Sequence, residues 1–238
     1  MDNEINFRQE LKYLIDIRDY VRVKSMLSAI LKPDENSDNE NMYHIRSLYF
    51  DDFKNTDLFS KISGLNERKK YRIRIYNNSR DLIRFEKKVK ENLGSYKRSA
   101  DISYEQAQAV INRDFSVFEH TQDPVLREIF NYNSMNILRP AVITDYVREA
   151  FINDEGSVRI TFDSKLKTAL TNTDLFDPDL IMIPAISSAQ IILEVKYSGF
   201  LPDFIRTILL GTNAISLAIS KFALCKKYIN YNDWEVLA

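Results

Sequence analysis

Polar and apolar positions alternate at period two in eight separate stretches of this chain, which predicts β-strands at residues 6–13, 43–50, 67–76, 82–90, 96–102, 141–151, 157–168 and 190–197. Between them the apolar period lengthens to that of a helix. Behind Asp16, a residue suited to capping, Val21, Val23, Met26, Leu27, Ile30 and Leu31 mark a helix over 17–31. Further helices are predicted at 55–62, at 103–112 with Ser103 and Gln106 as a capping box, at 124–132, at 202–210 with Pro202 in its first turn, and at 215–231. Residues 33–41 are acidic, Asn-rich and free of apolar side chains, so they read as an exposed loop. Asn77-Asn78, Asn92-Leu93-Gly94 and Asn153-Asp154-Glu155-Gly156 supply turns between successive strands. No internal repeat and no Gly/Ser/Pro-rich linker divides the chain, so a single α+β domain over 1–238 is expected, its strands antiparallel. Eight strands is about the number at which an antiparallel sheet closes into a barrel with room for a small ligand.

Composition narrows the setting. Hydrophobic residues make up 45% and charged residues 28% of 238, a globular balance that argues against general disorder. The lone Cys225 cannot form an internal disulfide and no Cys/His cluster has zinc spacing, so a reducing, cytoplasmic compartment is expected. The acidic start Met1-Asp2-Asn3-Glu4 has no apolar stretch behind it, and no segment is apolar enough to span a bilayer. His44 and His120 lack a Ser or Cys nucleophile motif, and five glycines form no phosphate loop.

The net charge of −1 hides a strong asymmetry. Between Glu67 and Arg98 twelve Lys or Arg face four acids, which suggests a polyanionic partner. Because strand side chains alternate faces, parity assigns these charges to sides. Lys70, Arg72, Arg74 and Tyr76 share one face opposite Tyr71, Ile73 and Ile75; Arg84, Glu86, Lys88 and Lys90 share one opposite Ile83, Phe85 and Val89, with Lys87 a cation on the apolar side. Arg8, Glu10 and Lys12 repeat the pattern, as do Glu194 and Lys196, and Arg159, Thr161, Asp163, Lys165 and Lys167.

A sheet with one solvated face gives the same alternation. What sets these strands apart is the recurrence of cations in a row, since two cations about 6 Å apart repel by roughly 3 kcal/mol at an effective dielectric near 20. A barrel with its apolar side outward under helices and its charged side lining a lumen, filled by an anion, satisfies both faces. Duplex nucleic acid is too wide for such a lumen. Repulsion alone predicts that removing Arg72 and Arg74 leaves the unliganded fold as stable as before, or more so. Glu10, Glu86 and Glu194, embedded among the cations, suit either ion pairing or a hard divalent cation bridging phosphate oxygens.

Eight segments then occur in an order that resembles a known family: Arg8-Gln9-Glu10-Leu11-Lys12-Tyr13, Arg46-Ser47-Leu48-Tyr49-Phe50-Asp51, Lys70-Tyr71-Arg72-Ile73-Arg74-Ile75-Tyr76, Phe85-Glu86-Lys87-Lys88, Tyr146-Val147-Arg148-Glu149-Ala150-Phe151, Val158-Arg159-Ile160-Thr161-Phe162-Asp163, Leu193-Glu194-Val195-Lys196 and Ser220-Lys221-Phe222. Together they resemble the vacuolar transporter chaperone (VTC) polyphosphate polymerase domain of the triphosphate tunnel metalloenzymes. The resemblance implies an antiparallel eight-stranded tunnel-like β-barrel, with helices packed outside and a C-terminal helix near the tunnel. It implies a catalytic set of Lys12, Arg72, Arg74, Lys88, Arg148 and Arg159, phosphate-binding Lys97 and Lys221, and Glu194 toward a divalent metal, Mn²⁺ or Mg²⁺; the alternation of the strands adds Lys196 to the phosphate-binding set and Glu10 and Glu86 to the metal set. ATP or another triphosphate and polyphosphate are the implied partners, without nucleic acid. The eukaryotic relatives also carry a phosphate-sensing domain and membrane segments, so this chain is expected to need a membrane-associated partner for any coupling to translocation. Three activities fit the resemblance: polymerase, triphosphatase on the same scaffold, and polyphosphate binding without turnover.

Overall fold

A computed structural model of the chain describes residues 9–34, 41–91, 94–212 and 216–227. Arg8 with the start of the first expected strand, most of the 33–41 loop, Asn92-Leu93 and the end of the 215–231 helix lie outside these residues. In chain order the strands are β1 (Gln9–Asp16), β2 (Lys32–Pro33), β3 (Met42–Asp51), β4 (Arg68–Tyr76), β5 (Arg84–Glu91), β6 (Gly94–Asp101), β7 (Arg139–Asn153), β8 (Val158–Thr168), β9 (Ile183–Pro184) and β10 (Gln190–Tyr197). Helices are α1 (Ile17–Ser28), α2 (Thr56–Ile62), α3 (Tyr104–Ile111), α4 (Pro124–Asn136), α5 (Asp203–Leu210) and α6 (Lys221–Lys226). The eight long strands form one antiparallel sheet in the order β1-β10-β8-β7-β3-β4-β5-β6, to which β2 and β9 add at β7 and β8. The sheet curls until its two edges, β1 and β6, approach each other without pairing.

Local chemistry explains the helix starts. Asp16 accepts from the Arg18 and Asp19 amides at 2.9 Å, Ser103 and Gln106 form the expected capping box, and Asp123 caps α4 ahead of Pro124. Gly156 turns β7 into β8 with φ +71°, and a Cβ there would meet the Phe200 carbonyl at 2.6 Å, so only glycine fits.

The convex face is covered twice. Leu48, Ile73 and Phe85 pack under Ala107, Val110, Phe118 and Ile129 of the α3–α4 region, while Ile160, Phe162, Leu193 and Val195 pack under Val23 and Leu27 of α1 and Ile205 and Leu209 of α5. Each such side chain contributes about 1.5–3 kcal/mol by leaving water. A third cluster lies on the concave side, where Phe222 and Cys225 of α6 meet Ile45, Tyr49, Tyr146, Leu166 and Ile192. Thus α6 lies inside the curve of the sheet, and burial pushes the Cys225 thiol up to about 12.

Two expectations change. The predicted helix over 215–231 is shorter: Leu217 and Ser216 run extended beside Lys12 and Tyr13, and helix begins only at Lys221, capped by Ser220. Parity also fails late in β8. A bulge between Asp145 and Val147 and the left-handed Lys165 (φ 54°) turn Leu166 inward, so Lys165 and Lys167 are exposed and do not line the lumen. Lys87, the cation on the apolar side, is buried and bonds Glu128 of α4.

Candidate functional site

The concave face gathers the cations into three groups, each built around a carboxylate. On β4 and β5, Arg72 contacts Glu86 Oε2 through both Nε and Nη2 at 2.6 Å, Lys97 from β6 donates to Glu86 Oε1 at 2.7 Å, and Arg74 stands 4.0 Å away. Hydroxyls fix the arginines further: Arg72 donates to Tyr49 at 2.8 Å, and Arg74 to Ser47 at 3.1 Å and Tyr146 at 3.3 Å. Burial pushes the Glu86 carboxyl up, but Arg72, Arg74 and Lys97 outweigh it and hold it far below the usual range. The expectation that like-charge repulsion dominates this pair is corrected: both arginines lie on a fully buried carboxylate.

The second group crosses from β5 to β1 and β10. Lys88 donates to Glu10 at 2.7 Å, Lys12 lies 3.3 Å from Glu10 and 3.8 Å from Glu194, and Lys196 lies 3.2 Å from Glu194 and 3.8 Å from Glu10. Burial, with crowding by neighbouring ammonium groups, lowers Lys12 and Lys196 to about 8 and Lys88 well below its ordinary value. Burial raises the Glu10 carboxyl, yet the same three lysines hold it far below its usual value. Such lysines lack enough negative charge around them, and a phosphate chain would supply it.

The third group is deepest. Arg148 grips Asp163 in a two-pronged pair at 2.6 and 2.8 Å and reaches Glu194 at 3.6 Å, while Lys221 from α6 reaches the same Asp163 at 2.5 Å and stands 4.8 Å above the Tyr146 ring. At the rim, Arg159 bonds Asp34 and donates to the Tyr43 hydroxyl at 2.9 Å. Lys70 meets Asp57 at 3.0 Å beside Phe222.

All twelve residues expected at the site therefore face the lumen or its rim, joined in one continuous ionic network apart from the Glu86 group and Arg159. Glu10 and Glu194 come together through shared lysines, whereas Glu86 stands apart with its arginines. Sequence reasoning assigned no role to Asp163, Ser47, Tyr49, Tyr146 or Asp34. Parity places Asp163 on the charged face and the resembling segment from Val158 ends on it, and those were the available signals for it.

Among the described residues no group of three or more His, Cys, Asp or Glu side chains is arranged to hold a metal ion. Glu10 Oε1 is nonetheless buried and held only by ion pairs, to Lys12 at 3.3 Å and Lys196 at 3.8 Å, and Glu194 is its close companion through the same two lysines. Two carboxylates completed by water and phosphate oxygens are the donor set that a Mg²⁺-like ion takes with a polyphosphate substrate. The residues fit an ion that arrives with triphosphate.

A curled antiparallel sheet with helices outside and a lumen of paired Lys and Arg defines the triphosphate-tunnel fold. Among solved structures it is shared with a candidate adenylyl cyclase from Hippeastrum, described as having a dominant triphosphatase activity (12% identity, 94% of this chain and 96% of that one, TM-score 0.56). It is shared too with a candidate adenylate cyclase from Bacillus halodurans (14% identity, 88% of each chain, TM-score 0.50). The chain belongs to the VTC domain family, whose model matches residues 7–229. No curated protein matches it significantly. Among the described residues no helix is long and apolar enough to cross a membrane.

Proposed function

We propose that this chain is a polyphosphate polymerase, transferring the terminal phosphoryl group of ATP to a growing polyphosphate chain in a cytoplasmic setting. The carrying observation is the convergence of Lys12, Arg72, Arg74, Lys88, Lys97, Arg148, Arg159, Lys196 and Lys221 on one concave face or its rim, most of them clamped by buried or half-buried carboxylates. Phosphoryl transfer passes through a loose transition state with charge spread over oxygens, so positioning and charge stabilisation supply most of the catalysis. Arg72, Arg74 and Arg148 present planar forks to phosphate oxygens, and Lys12, Lys88 and Lys196 present point charges. No protein nucleophile is needed. The accepting chain end already carries an anionic oxygen at neutral pH, because the first proton of a terminal phosphate is strongly acidic, so no general base is needed either.

Glu194 and Glu10 would hold a divalent cation, Mn²⁺ or Mg²⁺; Glu86 would join them only by exchanging Lys97, its most exposed partner. When bound, such an ion neutralises charge developing on the phosphates. Membership of the VTC domain family supports the polymerase reading. A second reading, hydrolysis of triphosphate, draws on the triphosphatase activity described for the Hippeastrum protein. Incubating pure protein with ATP and Mn²⁺ or Mg²⁺ and resolving products on a gel separates them: long polymer supports the polymerase, free phosphate alone the hydrolase, and tight tripolyphosphate binding with neither product a binding subunit.

A further inference from the structure

We infer that Asp163 is the positioning residue of this site, fixing Arg148 and Lys221 against the reacting phosphates while touching no phosphate itself. The inference rests on the phosphoryl-transfer reading above.

The geometry singles Asp163 out. It is fully buried, and both of its oxygens are engaged: Oδ1 by Arg148 Nε at 2.6 Å, Oδ2 by Arg148 Nη2 at 2.8 Å and by Lys221 Nζ at 2.5 Å. Three of the roughly four lone-pair sites of this carboxylate are thereby taken by cations, and its full burial keeps the remaining one away from water. Arg148 and Asp163 are direct cross-strand neighbours on β7 and β8, so the pair forms with no reach. Lys221 comes from the far side, from a six-residue helix inside the curve of the sheet. One carboxylate thus couples β7, β8 and α6. A guanidinium has five N–H donors and an ammonium three, so after the Asp163 bonds Arg148 keeps three, of which one on Nη2 faces Glu194 at 3.6 Å, and Lys221 keeps two.

In a tunnel that takes a polyanion, a buried carboxylate works against ligand affinity. Orientation and simple charge balance therefore agree that its removal does not weaken the ligand, and part over turnover. If Asp163 only balances charge, Asp163→Asn leaves turnover intact and tightens the ligand. If it orients the two cations, Asp163→Asn leaves affinity equal or tighter while turnover collapses, since displacement of positioning groups by about 1 Å can cost ~100-fold.

The test measures tripolyphosphate affinity by calorimetry, and kcat and KM for ATP turnover, in wild type, Asp163→Asn, Lys221→Met and the double variant, with melting temperatures recorded for each. The expected result is a kcat reduced at least ~10-fold in Asp163→Asn with tripolyphosphate affinity undiminished, and a double variant slower than Lys221→Met, because Arg148 still loses its anchor, but by clearly less than the product of the two single losses. Turnover within about twofold of wild type, or fully multiplicative losses in the double variant, overturns the role. Should Asp163→Asn fail to fold, Asp163→Glu decides: it keeps the charge and moves the oxygens by one methylene, so retained kcat overturns positioning and a loss with intact affinity supports it. Wild-type protein that turns over no triphosphate at all overturns the phosphoryl-transfer reading, and this role with it.

Discussion

Arg72→Ala is the most informative single perturbation, because the structure reverses the sign expected from the sequence. Glu86 is fully buried and Arg72 is its closest partner, at 2.6 Å through two nitrogens. At that distance and an effective dielectric near 20 the attraction is roughly 6 kcal/mol, partly offset by desolvation of both groups. Arg74 at 4.0 Å and the half-exposed Lys97 at 2.7 Å would remain, but neither replaces a pair of donors. Removing one member of a buried pair typically costs about 3–5 kcal/mol, equivalent in a chain of this size to a fall of about 6–20 °C in melting temperature. Glu86→Gln in the same chain removes the stranded charge and should restore at least half of the loss. Tripolyphosphate at one hundred times its Kd should stabilise wild type by about 2.7 kcal/mol and both variants far less. Thermal and urea melts with and without tripolyphosphate read all of these. An Arg72→Ala midpoint equal to wild type, or no recovery on adding Glu86→Gln, refutes the account of the Glu86 group.

Glu194→Gln should abolish metal-dependent turnover in a chain that still folds, although losing a buried carboxylate that meets Arg148 at 3.6 Å and Lys196 at 3.2 Å lowers the melting temperature as well; full activity in the purified variant removes Glu194 from the site. Burial, reinforced by Asp51 and opposed by Lys70, raises Asp57 from 3.8 to about 6, so the folded state binds its proton more tightly than the unfolded chain. Its contribution to stability is complete below about pH 4 and is lost as pH rises through about 6, by an amount of order 3 kcal/mol. Asp57→Asn, which mimics the protonated form, should accordingly be more stable than wild type at pH 7.5 and equal to it at pH 4, as read by urea midpoints; a gap independent of pH would contradict the assignment. Gly156→Ala should destabilise by about 1–3 kcal/mol, given a left-handed φ of 71° and a Cβ 2.6 Å from the Phe200 carbonyl, and an unchanged melt would remove that argument.

The alternation of β4 and β5 was legible because its two faces meet such different surroundings: Ile73 and Phe85 pack under helices, Arg72 and Glu86 meet in the lumen. Wherever one strand pairs regularly, parity carries the side-chain direction. It fails at Lys165, whose left-handed backbone sets Leu166 against Tyr146 and Phe222, and a single sequence carries no mark of that bulge. The apolar run after residue 215 has helical period, yet Ser216 and Leu217 are drawn into pairing with β1 by a neighbour remote in sequence. Asp163 and Glu86 show the same limit in the site. Their faces were readable, but how many cations close on each depends on four or more strands and a helix meeting in space.

The approach of β1 and β6 gives the tunnel a seam. Ser216 and Leu217 cover part of the β1 edge, and the Lys88–Glu10 bond at 2.7 Å bridges from β5 to β1. A continuous ladder of backbone hydrogen bonds is indifferent to ionic strength, whereas this joint is fastened by a half-buried ion pair that salt screens in part, so it should loosen modestly as salt rises. Amide exchange along β1 and β6 is therefore expected to quicken with salt while β3 and β7 stay protected; equal response in all four would argue against it. For a polymer the distinction is topological: a ring releases a long chain only by passing its whole length through an end, while a ring with a clasp can release it sideways.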